Sequence, residues 1–346
     1  MAESLSYLII ASLVFGLLLI LPSIMGLFGG NKFNVLGKTV LLTGASEGMG
    51  KSVAKQLASK GANVIIVARN IAMLKDALEE VQAAAANPSS QRFLYISADL
   101  CEQGGSQRIV DEATAWNNGR APDIVWCILG ASYPYLFLDT PTAKMRQQMD
   151  INFWTCVEMA QAILKDWLAP SSPSKGQERH LIFTSSVAAF YPVAGYSTYA
   201  PSKAAIKSLS DSLAQEVLLY DESVKIHTVF PGGISSPGME RENVTKPEIT
   251  HILEESDPIQ APDMVAKRSI AGLERGEYLV TVALLGAAMR GCAWGGSKRN
   301  NWVLDTLMTW ITSIVWLFVG ADLDGKVKAY GKKHGHPSTY VKKPSD

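Results

Sequence analysis

At 346 residues, with balanced formal charge and 47% hydrophobic residues, the chain has room for one large domain or two small ones. Its central region is acidic on balance and offers no broad electrostatic footprint for nucleic acid. Four cysteines (Cys101, Cys127, Cys156, Cys292) form no CxxC pair and no ligand spacing with the five histidines, so reduced thiols and no metal site are expected.

The chain opens on a near-continuous apolar run over residues 5–28, longer than the roughly 20 residues that cross a bilayer core. No basic region precedes it and no clear cleavage site follows it, so residues 1–30 are expected to be a retained transmembrane anchor. Glu3 lies before the run and Lys32 and Lys38 after it, which places the following domain in the cytosol by the positive-inside bias. Residues 38–43 (KTVLLT) read as a buried strand, followed by the loop TGASEGMG and a helix to about Lys60. A second strand is expected over 63–68 and a helix over 70–86, a third strand over 93–97 and a helix to about Asn118. A fourth strand is expected over 123–129, a long helical element with an earlier turn over 141–169, and a fifth strand over 180–185. A helix over 197–220, a sixth strand over 224–230, a loop or lid over 231–260, a helix over 262–275 and a last strand over 278–282 complete the domain, set at 31–282. Apolar strands alternating with helices predict an α/β fold, a doubly wound parallel sheet with ligands at the carboxyl ends of its strands.

Gly44, Gly48 and Gly50 stand in the turn between the first strand and its helix, spaced G-x-x-x-G-x-G. Glycine permits the tight turn and close backbone approach, and the helix N-terminus attracts phosphate oxygens. The second strand ends Val67-Ala68-Arg69, where NAD sites place a carboxylate for the ribose 2′-hydroxyl. Arg69 suits a 2′-phosphate instead, so NADPH is the expected cofactor, with Glu47 an opposing charge close by.

The stretch TSSVAAFYPVAGYSTYAPSK, residues 184–203, carries the chemistry. Tyr199 and Lys203 are four apart, which puts both on one helix face with Cβ atoms about 5–6 Å apart. A phenol beside an ammonium ion is expected to have a lowered pKa and to serve as a proton donor near neutrality. Ser186 lies at the end of the preceding strand, where its hydroxyl can bind a substrate carbonyl.

With these residues and Asn152 in order, residues 36–282 resemble the short-chain dehydrogenases/reductases. That resemblance implies that Tyr199 donates the proton, Lys203 supports it and binds the nicotinamide ribose, Ser186 orients the carbonyl, and Asn152 holds a water linking Lys203 to solvent. It also implies that Gly44, Ser46, Glu47, Gly48, Gly50 and Arg69 meet the phosphates and adenosine ribose, and that Asp99 and Leu100 meet the adenine. Gly130 keeps the family's glycine after the fourth strand, and Pro231 and Gly232 match its turn beside the nicotinamide. One departure is the family's Asn-Asn-Ala before that glycine, which here reads Cys127-Ile128-Leu129. Within the family, the segments TGASEGMGKSVA, VARN, SPGMERENVTKPE and YLVTVALLGAAMRG are similar to the 3-ketodihydrosphingosine reductases. This implies NADPH-dependent reduction of a long-chain 3-keto sphingoid base at the endoplasmic reticulum membrane, with the catalytic domain facing the cytosol. Two alternatives stay open: a membrane-bound reductase of a retinoid, steroid or long-chain acyl ketone, and a non-catalytic NADPH-binding scaffold.

Apolar loops at 133–138 and 231–239 are expected to receive an alkyl chain. Residues 283–319 read as a membrane-associated segment, in which 302–319 either cross or lie in the interface, and 320–346 as a basic tail. Whether the chain forms a homo-oligomer is open at this stage.

Overall fold

The computed structural model describes residues 30–173, 175–295 and 298–334. The expected anchor, apart from its last residue, and the tail beyond His334 lie outside them.

Seven parallel strands form one sheet in the order β3-β2-β1-β4-β5-β6-β7. They are β1 (Thr39–Thr43), β2 (Asn63–Ala68), β3 (Phe93–Ser97), β4 (Ile124–Cys127), β5 (Arg179–Thr184), β6 (Val224–Phe230) and β7 (Leu279–Thr281). The strands are apolar throughout because both faces are covered. Ile65, Leu41, Val125, Leu181 and Ile226 lie in register across five strands and share one core. Their neighbours Val40, Val64, Ile124 and Ile182 fill the other. Helices α1 (Gly48–Ser59), α2 (Ile71–Ala83) and α9 (Pro262–Glu274) supply residues to that second core. Helices α3 (Gly105–Trp116), α5 (Thr155–Trp167) and α6 (Tyr199–Glu216) supply residues to the first. β1 pairs with β2 on one side and β4 on the other, so the order reverses there and a crevice opens at the carboxyl ends.

At the opposite ends a buried ion pair ties three strands. Asp123 accepts from the Thr39 amide at 2.8 Å and from Arg179 Nη1 at 2.6 Å. The domain begins a little earlier than the first strand: Phe33 and Val35 are core residues, and the Lys32 amide donates to Glu274 O at 2.8 Å.

Several boundaries differ from expectation. β4 stops at Cys127, because Ile128 and Leu129 turn their amides onto the Thr43 hydroxyl rather than a neighbouring strand, at 3.1 and 3.3 Å. β5 begins at Arg179 and ends at Thr184, and β7 is only three residues. The long helical element is α4 (Thr142–Met149), a π turn (Asp150–Trp154) and α5 without a break. The expected lid loop holds two helices, α7 (Pro237–Thr245) and α8 (Glu248–Leu253). Each follows a start signal: Ser236 caps α7 by accepting from the Met239 amide, with Pro237 at the first helical position, and Pro247 precedes α8. Helix α10 (Leu284–Cys292) follows β7, and α11 (Trp302–His334) runs well past the expected boundary at 319. Gly320 and the charged residues after it leave the helix unbroken, and Asp322 and Lys326 pair one turn apart at 3.0 Å.

Candidate active site

The glycine loop joins β1 to α1 at the switch point, and each glycine there has a separate cause. Gly44 has φ +65, and a Cβ would come within 2.7 Å of Leu129 Cα. At Gly50 a Cβ would meet Gly44 O at 2.2 Å, so this residue works inside the loop, folding it onto its own helix. Gly48 has φ +54 and lies under Ser236 of the lid. Glu47 is the residue before α1, yet no side chain caps that helix. Its first amides are therefore left for another acceptor. Ser46 is half-buried in the same loop. At the end of β2 the exposed Arg69 lies 3.6 Å from Asp99, whose other oxygen accepts from the Cys101 amide at 2.9 Å. Leu100 is buried beside them. Glu47 does not stand alone as an opposing charge, because its carboxylate is ion-paired with Arg241 of α7.

The other half of the site gathers on β4, β5, the π turn and α6. Asn152 is fully buried on the π turn, where the extra residue in the helical ladder turns its amide inward. It accepts from the Ala131 amide at 2.9 Å, donates to Ala131 O at 2.9 Å and donates to Ser202 Oγ at 3.1 Å. These bonds, with those of Thr43, brace the turn that departs from the family pattern. Gly130 leaves space there, since a Cβ would sit 2.9 Å from Lys203 Nζ and 3.0 Å from Asn152 Oδ1. Lys203 Nζ donates to Thr184 O at 3.1 Å and lies 5.8 Å from the centre of the Tyr199 ring. Ser186 accepts from the Ala188 amide at 3.2 Å and hydrogen-bonds Tyr199. Pro231 O accepts from the Val187 amide at 3.0 Å, which folds the Pro231–Gly232 turn over the end of β5.

The expected lowering of the Tyr199 pKa does not emerge from these groups. Burial pushes the phenol up, the Glu242 carboxylate pushes the same way, and only the Ser186 hydrogen bond pulls it back. Lys203 shares the desolvated pocket, and burial lowers its own pKa to about 8 against the opposing pull of Cys156. The phenol is thus held protonated across the neutral range.

On the lid side, Tyr196 tilts on Tyr199 with ring centres 5.5 Å apart and donates to Glu242 at 2.5 Å. Lys246, 3% exposed, bridges Glu242 at 2.9 Å and Glu254 at 2.7 Å. The two expected alkyl-binding loops divide. Leu136 packs into a small core with Tyr191, Ile249 and Leu253, whereas Leu138 is 88% exposed. Beside Gly232 an apolar crevice is lined by Val187, Phe230, Gly233, Val282 and Met289. Thr43, Ser202 and Arg241 lie within the motifs TGASEGMGKSVA, TSSVAAFYPVAGYSTYAPSK and SPGMERENVTKPE, but no spacing singles out their side chains.

Residues 38–247 match the family described as short chain dehydrogenase, which is more than half of the chain. The chain belongs to the short-chain dehydrogenase family. It is an oxidoreductase. Short-chain dehydrogenases use NAD(H) or NADP(H), and the bare glycine loop at an uncapped helix fits such a dinucleotide. Among curated short-chain dehydrogenases, the chain is 52% identical over 324 residues to the 3-ketodihydrosphingosine reductase gsl-3 of Neurospora crassa, covering 92% of this chain and 90% of that one. It is 47% identical over 341 residues to the 3-ketodihydrosphingosine reductase ksrA of Aspergillus fumigatus, covering 93% of each. The 3-ketodihydrosphingosine reductase TSC10 of Saccharomyces cerevisiae is 32% identical over 294 residues, covering 78% of this chain and 87% of its own. A solved short-chain type dehydrogenase/reductase from Mycobacterium marinum superposes with a TM-score of 0.61 at 23% identity, over 72% of this chain and 94% of that one, a likeness of fold.

Proposed function

We propose that the chain is an NADPH-dependent reductase that converts 3-ketodihydrosphingosine to dihydrosphingosine in sphingolipid synthesis. The observation that carries this reading is the extent of the likeness. Identity of 52% and 47% runs over more than nine-tenths of the chain, past the shared family region and through the lid and C-terminal elements. Those elements surround the substrate side of the site.

In this reading NADPH, when bound, would supply the hydride for reduction of the carbonyl carbon. Tyr199 gives its phenolic proton to the carbonyl oxygen, and its protonated state at neutral pH suits the reductive direction. Ser186, already bonded to the phenol, orients the carbonyl. Lys203 keeps a cation beside Tyr199 and holds the nicotinamide ribose. Asn152 links Lys203 toward solvent from the π turn, and Gly130 leaves room for both side chains. Gly44, Ser46, Gly48 and Gly50 form the phosphate cradle, Arg69 takes the 2′-phosphate, Asp99 and Leu100 meet the adenine, and Pro231 and Gly232 flank the nicotinamide. The apolar crevice beside Gly232 takes the first carbons of the alkyl chain.

The same reading places the enzyme at the endoplasmic reticulum membrane, with the catalytic domain on the cytosolic side. α11 is long and apolar enough to cross a bilayer by length and composition. Its Trp316, Leu323 and Tyr330, seven residues apart, pack on the catalytic domain, while Trp302, Trp310 and Phe318 face outward. A helix fastened along the domain in this way lies in the interface, with its outer face among the lipids. The deciding experiment mixes purified full-length protein with NADPH and 3-ketodihydrosphingosine and follows loss of nicotinamide absorbance. Steroid and retinoid carbonyls run alongside. Turnover of the sphingoid ketone well above the others is expected. Preference for a steroid or retinoid overturns the substrate, and no turnover of any carbonyl favours a scaffold.

A further inference from the structure

We infer that Arg241, on the lid helix α7, is a cofactor-selectivity residue that makes the adenosine end of the dinucleotide site acceptable to a 2′-phosphate. This inference rests on the NADPH reading above and deepens it. Glu47 stands immediately before the helix that opens the glycine loop, and its carboxylate does not cap that helix. A carboxylate at this place repels a nearby phosphate. The structure pairs it with Arg241 Nη2, brought across 194 positions of sequence. The start of α7 lies directly over the loop: a Cβ on Gly48 would be 3.4 Å from Ser236 Cβ. The adjacent Glu242 ties α7 to the catalytic side by accepting from Tyr196 at 2.5 Å, and Lys246 at the helix's own C-terminal end ties it to Glu254 at 2.7 Å. The guanidinium therefore sits beside Glu47, carried by the middle of a short helix whose next residue reaches the catalytic tyrosine's neighbour.

The charge balance gives the consequence. Arg69 and Asp99 lie 3.6 Å apart, and Glu47 and Arg241 form the second pair, so the four sum to zero. Without Arg241 the sum is −1. NADPH differs from NADH by a phosphomonoester carrying roughly one and a half to two negative charges. An uncompensated carboxylate therefore opposes NADPH far more than NADH. Arg241 is largely exposed, so it retains donors to offer the phosphate itself while it neutralises Glu47.

The test measures binding rather than turnover, on the full chain in detergent. Kd values for NADPH and NADH come from nicotinamide fluorescence, and those for 2′,5′-ADP and 5′-AMP from calorimetry. Wild type is expected to favour NADPH and 2′,5′-ADP. Arg241→Ala should weaken both by about tenfold at low salt and by less at high salt, the scale of one exposed charge acting on a phosphate. NADH and 5′-AMP should stay within about twofold, since they lack the group concerned. Glu47→Gln added to Arg241→Ala should recover most of the loss. Equal weakening of both nucleotide pairs, no weakening, or no recovery in the double variant overturns the assignment of Arg241. A wild-type protein that binds NADPH and NADH alike overturns the NADPH reading itself, and is seen before any variant is made.

Discussion

Tyr199 and Lys203 were legible as a pair because a four-residue spacing on a helix fixes their relation before any tertiary contact forms. What spacing does not reveal is solvation, and burial decides both pKa values. Replacing Tyr199 with Phe is expected to lower kcat by about 10²–10⁴-fold, the usual worth of a positioned proton donor, with NADPH fluorescence titration unchanged. Retention of more than a tenth of the rate overturns that role. The Lys203 pKa near 8 adds a pH test. Its ammonium is present below that value and lost above it, while Tyr199 stays protonated through both, so the reduction rate should fall as pH rises past about 8. In Lys203→Arg the cation persists at higher pH. Whatever rate that variant keeps should lack this alkaline fall; an unshifted fall would assign it to another group. Arg69→Ala should raise KM for NADPH by roughly tenfold and leave KM for NADH nearly unchanged, since only the 2′-phosphate loses a partner. The glycines were likewise readable, but not their individual reasons: Gly50 is needed for its contact with Gly44 O, which no linear pattern expresses.

At the scale of elements, the parallel sheet followed from unbroken apolar runs, and its strands fell within a few residues of expectation. The π turn escaped notice because one extra residue in a helix leaves the hydrophobic period almost intact. It is the feature that aims Asn152 inward. Asn152→Ala should leave the Ala131 amide without its acceptor while the Ala131 carbonyl keeps Gln148, costing about 1–3 kcal/mol of stability by denaturant melt, with a larger relative loss of kcat than of NADPH affinity. The lid was missed in another way. Ser236-Pro237 and Pro247 are helix starts, but the helices they begin are too short for a periodic signal. At the far end of the sheet, Arg179→Ala should destabilise by up to about 3–5 kcal/mol, because Asp123 would stay buried with only Lys38, 3.9 Å away, as a cation. Its thermal midpoint should fall while the KM values of the surviving folded enzyme hold; a fall in affinity instead would mean that the two ends of the sheet are coupled.

For the molecule as a whole, the composition shift near residue 320 suggested a tail where the helix in fact continues, since lysine and aspartate are tolerated in a helix that glycine does not stop. Removing residues 1–30 takes away no described element, because the domain begins at Lys32 and Phe33. The truncated protein is expected to fold and bind NADPH, and to keep a weaker hold on vesicles through α11. Loss of NADPH binding would mean that the N-terminal run belongs to the fold. The seating of α11 has one more outcome. Trp316 meets Tyr191 with ring centres 6.3 Å apart, the Tyr191 hydroxyl donates to Asp257 of the lid at 3.0 Å, and Tyr330 donates to Glu248 of α8 at 2.9 Å, so this helix is tied to the lid. On the interfacial placement proposed for α11, an enzyme whose lid rests on that helix draws its substrate from a two-dimensional pool. Its rate should then track the mole fraction of ketone in a mixed micelle, so that adding detergent at constant total ketone slows turnover by surface dilution. Trp310→Ser with Phe318→Ser, both on the outward face, should blunt that dilution curve while leaving NADPH affinity intact.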